Sequence, residues 1–254
     1  APLLPLVAGT RAFSAWRLWL VAPNLPDLGV SPMAHHDATA ALSPRPYADL
    51  YQSSVDDPER FWLDAATAID WFTAPTQACD RSEEPFFRWF SDGILNTAYN
   101  ALDRHVIAGR GDQPALIYDS PVTGVQRIYT YAELLADVAA FAGVLRSLGV
   151  ATGDRVVLYM PMIPEAVVAM LACARIGAVH SVVFGGFASA ELAVRVDDAK
   201  PKVVVSASCG IEGSKVIPYK PLLDAALELA EHQVPARVIV QRAQLHAEMG
   251  PDDL

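Results

Sequence analysis

The sequence predicts an α/β fold, in which a parallel sheet built from βαβ units follows a mostly helical N-terminal cap. From residue 154 onward, short apolar, β-branched runs alternate with helical patterns in the order β-α-β-α-β-α-β. Alternation of this kind is typical of a doubly wound parallel sheet with right-handed crossovers. The chain has 254 residues and is 52% apolar, which is ample for a hydrophobic core.

The net charge and the cysteine content narrow the classes of partner and the compartment. A net charge of -10 argues against general binding to nucleic acids or to anionic membranes. The three cysteines, Cys79, Cys173 and Cys209, are widely spaced and form no C-x-x-C motif. This usage predicts a reducing, cytoplasmic setting without a disulfide framework, and Cys173 falls on a helix face that we expect to be buried.

Residues 1–46 predict a disordered or non-native leader. The segment is rich in Pro, Ala and Leu, and its apolar run is far too short to span a bilayer. Two arginines and the lack of acidic residues before Asp27 suit a transit peptide, in which case residues 1–32 would direct the chain to the mitochondrial matrix. The alternative is upstream sequence that precedes a true start at Met33.

Residues 47–105 predict the helical cap. A helix is expected to begin at Asp57 and Pro58, because acidic residues in the first turn suit the helix dipole and proline is tolerated there. A further turn and helix are predicted to run through Ala101 to His105. The apolar face of the first helix is predicted to consist of Phe61, Trp62, Ala65, Ile69 and Trp71.

Residues 106–254 predict the first part of a larger α/β domain. Two short strands, Ala115 to Tyr118 and Gln126 to Tyr129, suggest a hairpin. Thr130 and Glu133 form a capping box at the start of a helix that Gly149 is placed to end. Beyond it, the predicted strands are Val156 to Met160, Val179 to Phe184, Val203 to Val205 and Arg237 to Gln241, and the predicted helices begin near Pro164, after Gly186 and at Pro221.

Two loops of this predicted sheet are candidates for ligand binding. Gly185 and Gly186 follow one strand, and a loop from Glu212 to Lys215 follows the next. Parallel βαβ sheets bind ligands beyond the carboxyl ends of their strands. A glycine pair allows the backbone to approach a ligand closely, and a lysine ammonium suits a phosphate. The competing interpretation is that both segments are ordinary turns.

Several motifs in order make the chain similar to the AMP-forming short-chain acyl-CoA synthetases, and most of all to their propionyl-CoA synthetase branch. The segment around residues 89–97, WFSDGILNT, resembles the N-terminal cap of this family. Residues 159–165, YMPMIPE, and 180–187, HSVVFGGF, resemble motifs of the short-chain group. Residues 109–115, GRGDQPA, and 206–212, SASCGIE, resemble the propionate branch. The resemblance covers residues 47–254.

The resemblance implies a ligase that uses ATP, Mg²⁺ and coenzyme A. A short-chain carboxylate would form an acyl-adenylate, and the thiol of coenzyme A would then displace AMP. The resemblance assigns Phe184, Gly185 and Gly186 to the coenzyme A channel. It assigns Glu212, Gly213, Ser214 and Lys215 to the loop beside the coenzyme A nucleotide, where acetyl-CoA synthetases tend to carry Arg-x-x-Arg. Lys215 is a weaker partner for phosphate than a bidentate arginine, and Glu212 brings the opposite charge.

No catalytic residue and no metal ligand is assigned within the chain. The family's Ser/Thr/Gly-rich phosphate loop ending in Pro-Lys-Gly does not occur in the sequence. We therefore expect the chain to be inactive in adenylation by itself. The alternative function is a non-catalytic nucleotide- or coenzyme A-binding module, while a Rossmann dehydrogenase is disfavoured by the lack of a G-x-G-x-x-G motif. Arg195 is expected to pair with Asp198.

Overall fold

A computed structural model describes residues 46–186 and 188–254. They form two compact units, of which the described parts are residues 46–100 and residues 101–254. The leader predicted for residues 1–46 lies, up to residue 45, outside the described residues. None of the described helices is both long and apolar enough to cross a membrane.

The unit formed by residues 101–254 contains the predicted parallel sheet. Its strands are β5 (Arg155–Met160), β6 (Val179–Phe184), β7 (Val203–Ala207) and β10 (Ala236–Val240). They lie in the order β10-β7-β5-β6, and every pair is parallel. The fold class predicted from the alternating pattern is therefore confirmed.

Helices cover both faces of this sheet, as a doubly wound arrangement requires. One core contains α3 (Tyr131–Ser147) and α4 (Pro164–Ile176), and the other contains α5 (Ser189–Ala199) and α6 (Tyr219–Leu229). The central strand β5 serves both cores, because its residues alternate between the two faces. Leu158 belongs to the first core and Tyr159 to the second.

Local sequence signals fix the ends of these helices. Thr130 and Glu133 form the predicted capping box, in which the Thr130 hydroxyl accepts a bond from the Glu133 N–H at 3.2 Å. Gly177 ends α4 in the left-handed conformation at φ 73°. Cys173 is fully buried in this helix, and burial raises the pKa of its thiol to about 12, which fits the predicted packing role.

Two further features complete this unit. The predicted hairpin is β3 (Pro114–Ser120) paired antiparallel with β4 (Val125–Thr130). Residues 252–254 run alongside β10, which is an edge strand of the parallel sheet. The Leu254 N–H donates to the Arg237 carbonyl, and the Ile239 N–H donates to the Leu254 carbonyl, both at 2.9 Å. These residues therefore form an isolated parallel bridge to β10, between Asp253 and Arg237.

The unit formed by residues 46–100 is built from aromatic contacts more than from long elements. It contains α1 (Tyr47–Asp56), α2 (Pro58–Ala66) and the short strands β1 (Cys79–Asp80) and β2 (Arg88–Trp89). Asp57 caps α2 as predicted, because its carboxylate accepts the Arg60 N–H at 3.1 Å. The indole of Trp71 fills the space beside Gly93, where an added Cβ would come within 2.6 Å of the ring.

The apolar face predicted for α2 extends too far along the chain, and this prediction is wrong beyond Ala66. The helix ends at Ala66, its one buried residue, so Ile69 and Trp71 lie beyond it. Trp62 and Ile69 are each 40% exposed. The helix predicted to run through Ala101 to His105 is observed, because all five residues are helical, and π-helical turns lie at Tyr99–Asp103 and Val106–Arg110. Aromatic spacing at helical intervals was a misleading signal here, since the rings pack on each other and not on a single helix face.

Candidate functional site

The first predicted loop lies at the carboxyl end of β6, where the structure makes a tight turn. Phe184 ends the strand with its side chain 69% exposed, and Gly185 and Gly186 form the turn. Gly185 is buried beneath the surface, whereas Gly186 is exposed. A Cβ at Gly185 would lie 2.5 Å from the Tyr219 hydroxyl oxygen and 2.9 Å from the Met160 carbonyl oxygen. Close packing inside the protein therefore already requires glycine at position 185.

The second predicted loop is part of a β-hairpin, which the sequence interpretation missed. β8 (Cys209–Glu212) pairs antiparallel with β9 (Lys215–Pro218), and Gly213 and Ser214 form the two-residue turn between them. Gly213 has φ +56°, a left-handed conformation in which glycine is favoured. The residues after β7 therefore continue as two paired strands, which are joined by backbone hydrogen bonds from Cys209 opposite Pro218 to Glu212 opposite Lys215. The ladder holds Glu212 directly opposite Lys215.

The fold brings the two loops together. A Cβ at Gly186 would lie 3.3 Å from a Glu212 carboxylate oxygen and 3.0 Å from the Phe184 ring. Three predicted residues, Phe184, Gly186 and Glu212, therefore share one small area of surface. Residues 212–215 are all exposed.

The charges of the hairpin tip face solvent. Within residues 46–186 and 188–254, neither the Lys215 ammonium nor the Glu212 carboxylate makes a hydrogen bond or an ion pair with another side chain. Arg195 is exposed on α5, and its predicted ion pair with Asp198 is not formed among the described residues. The Lys215 side chain is therefore exposed at the tip of the hairpin.

Beneath the two loops lies a pair of stacked tyrosines. The rings of Tyr159 and Tyr219 have centroids 5.0 Å apart and are inclined by 30°. Burial, followed by the charge of Glu212, raises the pKa of Tyr219, and burial with the neighbouring Tyr219 raises the pKa of Tyr159 to about 12. Both phenols stay neutral at physiological pH, so the floor of the site is apolar and uncharged.

Next to Tyr219, a buried ion pair that the sequence interpretation missed anchors the start of α6. The Lys220 ammonium lies 2.9 Å from Asp253 and 2.6 Å from Asp224. Burial lowers the pKa of Lys220, but the hydrogen bonds that its ammonium donates to both carboxylates outweigh this effect and leave the pKa raised. Burial likewise opposes ionisation of Asp253, whose pKa is nevertheless lowered by Lys220, Gly250 and Arg237. Asp253 is 33 positions from Lys220, so no local signal could reveal the contact.

Two cavities are lined by other residues than the predicted site residues. One, of about 530 Å³, is in the unit of residues 46–100 and is lined in part by Trp62, Cys79 and Trp89. The other, of about 500 Å³, lies beside α6 and is lined in part by Lys220 and Glu248. In the described part of the chain, no three His, Cys, Asp or Glu side chains converge as metal ligands.

Comparison with known families matches two successive segments. The AMP-binding enzyme family matches residues 103–253, and the acetyl-coenzyme A synthetase N-terminus matches residues 47–101. Among solved structures, acetoacetyl-CoA synthetase from Streptomyces lividans has a TM-score of 0.74 and 29% identity, over 85% of this chain and 33% of that one.

Curated proteins extend these matches. Acyl-CoA synthetase short-chain family member 3, mitochondrial, of Homo sapiens is 50% identical over 79% of this chain and 29% of its own. Propionate--CoA ligase of Escherichia coli is 50% identical over 77% of this chain and 31% of its own. The chain thus spans about a third of the length of the curated relatives it matches. It belongs to the AMP-binding enzyme family, and its similarity to short-chain acyl-CoA synthetases is confirmed.

Proposed function

Because the chain belongs to this family, we propose that it forms the N-terminal portion of an AMP-forming acyl-CoA synthetase. The reaction is attack of a short-chain carboxylate on the α-phosphate of ATP, with release of pyrophosphate, and then transfer of the acyl group to the thiol of coenzyme A. The observation that carries the proposal is 50% identity to the propionate--CoA ligase of Escherichia coli across 77% of this chain. Propionate is the favoured substrate and acetate the next.

The two loops at the carboxyl edge of the sheet are proposed to meet coenzyme A. Phe184, Gly185 and Gly186 would line its path, since the exposed Phe184 ring and the exposed Gly186 backbone border the same surface. Lys215 offers an ammonium to a phosphate oxygen from the exposed hairpin tip. Glu212 is an acceptor for donors such as amide or amino groups, and it opposes a phosphate placed at Gly186.

The complete reaction proposed here would require ATP and Mg²⁺. The sequence contains no Pro-Lys-Gly phosphate loop, and the described residues carry no cluster of metal ligands. We therefore propose that this chain alone does not form the adenylate. The proposed compartment is the cytoplasm, and a transit peptide in residues 1–32 would instead direct the chain to the mitochondrial matrix.

The test is isothermal titration of the purified chain with coenzyme A, combined with a pyrophosphate–ATP exchange assay in the presence of propionate or acetate. We expect saturable binding of coenzyme A that weakens in Lys215→Ala, because the ammonium is the cation that the hairpin tip offers. Lys202→Ala is a matched control, because Lys202 pairs with Asp154 at 2.7 Å and lies just before β7, at the opposite end of that strand from the hairpin that follows it.

Each outcome separates the functional alternatives. Coenzyme A binding without exchange agrees with an N-terminal portion of the synthetase, and a complete polypeptide that then activates propionate in preference to acetate would establish the substrate. Binding of coenzyme A in a complete polypeptide that activates neither acid would favour a non-catalytic binding module. Exchange by the chain alone would contradict the proposed inactivity.

A further inference from the structure

The ring of Tyr219 occupies the space between the two candidate loops. A Cβ at Gly185 would meet the Tyr219 hydroxyl oxygen at 2.5 Å and ring carbon Cε2 at 2.8 Å. A Cβ at Gly210, on strand β8, would meet the same ring at 2.4 Å. Real Cβ atoms do not approach other atoms so closely, so both backbones lie directly against this side chain. One aromatic ring therefore contacts the turn after β6 and the hairpin β8–β9.

Three further contacts hold this ring in place. The Tyr219 backbone N–H donates to the Ser208 carbonyl at 3.1 Å, which ties the first residue of α6 to the bend between β7 and β8. Stacking on Tyr159 fixes the plane of the ring against the central strand β5. The residue is 5% exposed, and Tyr219 belongs to the core that includes Leu223, one turn further along α6. Its position is thus set by the core and not by the loops.

We propose that Tyr219 is a positioning residue of the candidate site, which sets the separation between the Gly185–Gly186 turn and the β8–β9 hairpin. Both backbones rest against the ring, so its width determines how near Gly186 comes to Glu212. The identity of the ligand rests on the proposed function, whereas the geometric role does not. Nothing in the sequence pattern marks a tyrosine at the start of a helix for this role.

Hydrogen exchange followed by mass spectrometry tests the geometric role on the whole chain. In Tyr219→Ala, we expect backbone amides of the 185–186 turn and of the 210–215 hairpin to exchange about tenfold faster, because both lose their support. Tyr219→Phe keeps the ring and should leave both segments unchanged. Leu223→Ala is the matched control: it removes a fully buried side chain from the same helix and core, one helical turn beyond Tyr219.

The pattern across these variants decides the proposal. Faster exchange in both loops with Tyr219→Ala, but in neither with Leu223→Ala, supports it. Equal acceleration by the two variants would reduce Tyr219 to an ordinary core residue and overturn it, as would unchanged exchange in Tyr219→Ala. If Tyr219→Ala does not fold, Tyr219→Leu provides the same comparison with a smaller side chain.

A double variant tests the positioning role through the affinity for coenzyme A, which a purely structural role of Tyr219 would not restore. Gly185→Ala should weaken coenzyme A binding about tenfold, because its Cβ forces the turn away from the ring. Adding Tyr219→Leu should restore part of that affinity, since the smaller side chain makes room on the side of the ring, while the Met160 carbonyl oxygen at 2.9 Å still opposes the Cβ. Independent losses in the double variant would overturn the proposal. A wild-type chain that binds no coenzyme A would refute the ligand assignment, and the exchange experiment would still decide the role of Tyr219.

Discussion

The candidate site has a buried base, where close packing dominates, and an exposed rim, where charged side chains dominate. The base consists of Gly185, Gly210, Tyr159 and Tyr219, which are buried and in close contact. The rim consists of the exposed Phe184 and the hairpin tip from Glu212 to Lys215. Contacts in the base are steric and fully desolvated, whereas charges at the rim are screened by water and salt.

The base gives the site its shape, and the rim gives it its charged groups. The base holds two backbones directly against the Tyr219 ring, but it offers no charge to a ligand. The rim offers a carboxylate and an ammonium, but few contacts hold them. Substitutions in the base should therefore change stability, and substitutions at the rim should change binding and its salt dependence.

The largest expected effect is in the base, from Gly210→Ala. Its Cβ would lie 2.4 Å from the Tyr219 ring, which is held by Tyr159 and cannot easily move. Overpacking of this kind should lower the free energy of unfolding by about 3 kcal/mol. Urea denaturation measures the change. Gly111→Ala is the control, because its Cβ would meet its nearest neighbour at an ordinary 3.7 Å; equal losses in both variants would refute the steric account.

A smaller loss is expected from Asp253→Asn, beside the base. The Asp253 side chain is fully buried and pairs with Lys220, whose second partner, Asp224, remains in the variant. Losing one charged hydrogen bond should lower the free energy of unfolding by about 2 kcal/mol. Asp252→Asn serves as the control, since Asp252 is 61% exposed and lies 3.7 Å from Arg237. A loss as large in the control would argue against the importance of burial.

The same ion pair gives a pH dependence with a defined sign. The pKa of Asp253 is lowered on folding, so its contribution is present above its unfolded pKa of about 3.9 and is lost as the pH falls through the folded value. The pKa of Lys220 is raised, so its contribution is present below about 10.4 and is lost as the pH rises through the folded value. The difference between wild type and Asp253→Asn should therefore be widest near neutral pH and shrink in acid. A difference that grows below pH 4 would contradict this assignment.

The sheet and its order of elements could be predicted from the sequence because each signal is local. The apolar run of β5, the capping box at Thr130 and the αL glycine at Gly177 each act over a few residues. The base of the site could not be predicted, because Gly185, Gly210 and Tyr219 meet only after the strands and α6 have packed. The hairpin at 209–218 was missed because its charged tip is typical of a loop.

The strand β6, which ends at the rim residue Phe184, is an edge strand of the parallel sheet. Its exposure predicts self-association of the chain. In the described part of the chain, β6 pairs with β5 alone, and Val182 and Phe184 are 58% and 69% exposed. Exposed apolar edge strands recruit other strands. Val182→Lys should weaken association about tenfold, or about 1.4 kcal/mol, as measured by sedimentation velocity. Val183→Ala, on the buried side of the same strand, is the control; equal weakening would mean that the edge is not the contact.

The smallest effect on stability is expected at the hairpin tip, from Lys215→Ala. Because the ammonium makes no described ion pair, its removal should change the free energy of unfolding by less than about 0.5 kcal/mol. Coenzyme A affinity should nevertheless fall, and the slope of affinity against salt concentration should become shallower, because one cation no longer meets the phosphates. Glu212→Gln should change affinity in the opposite direction, since it removes a charge that repels them. Titrations at several salt concentrations measure both effects. If the slope of affinity against salt concentration is identical in wild type and both variants, the charged residues of the rim do not interact with the phosphates of the ligand.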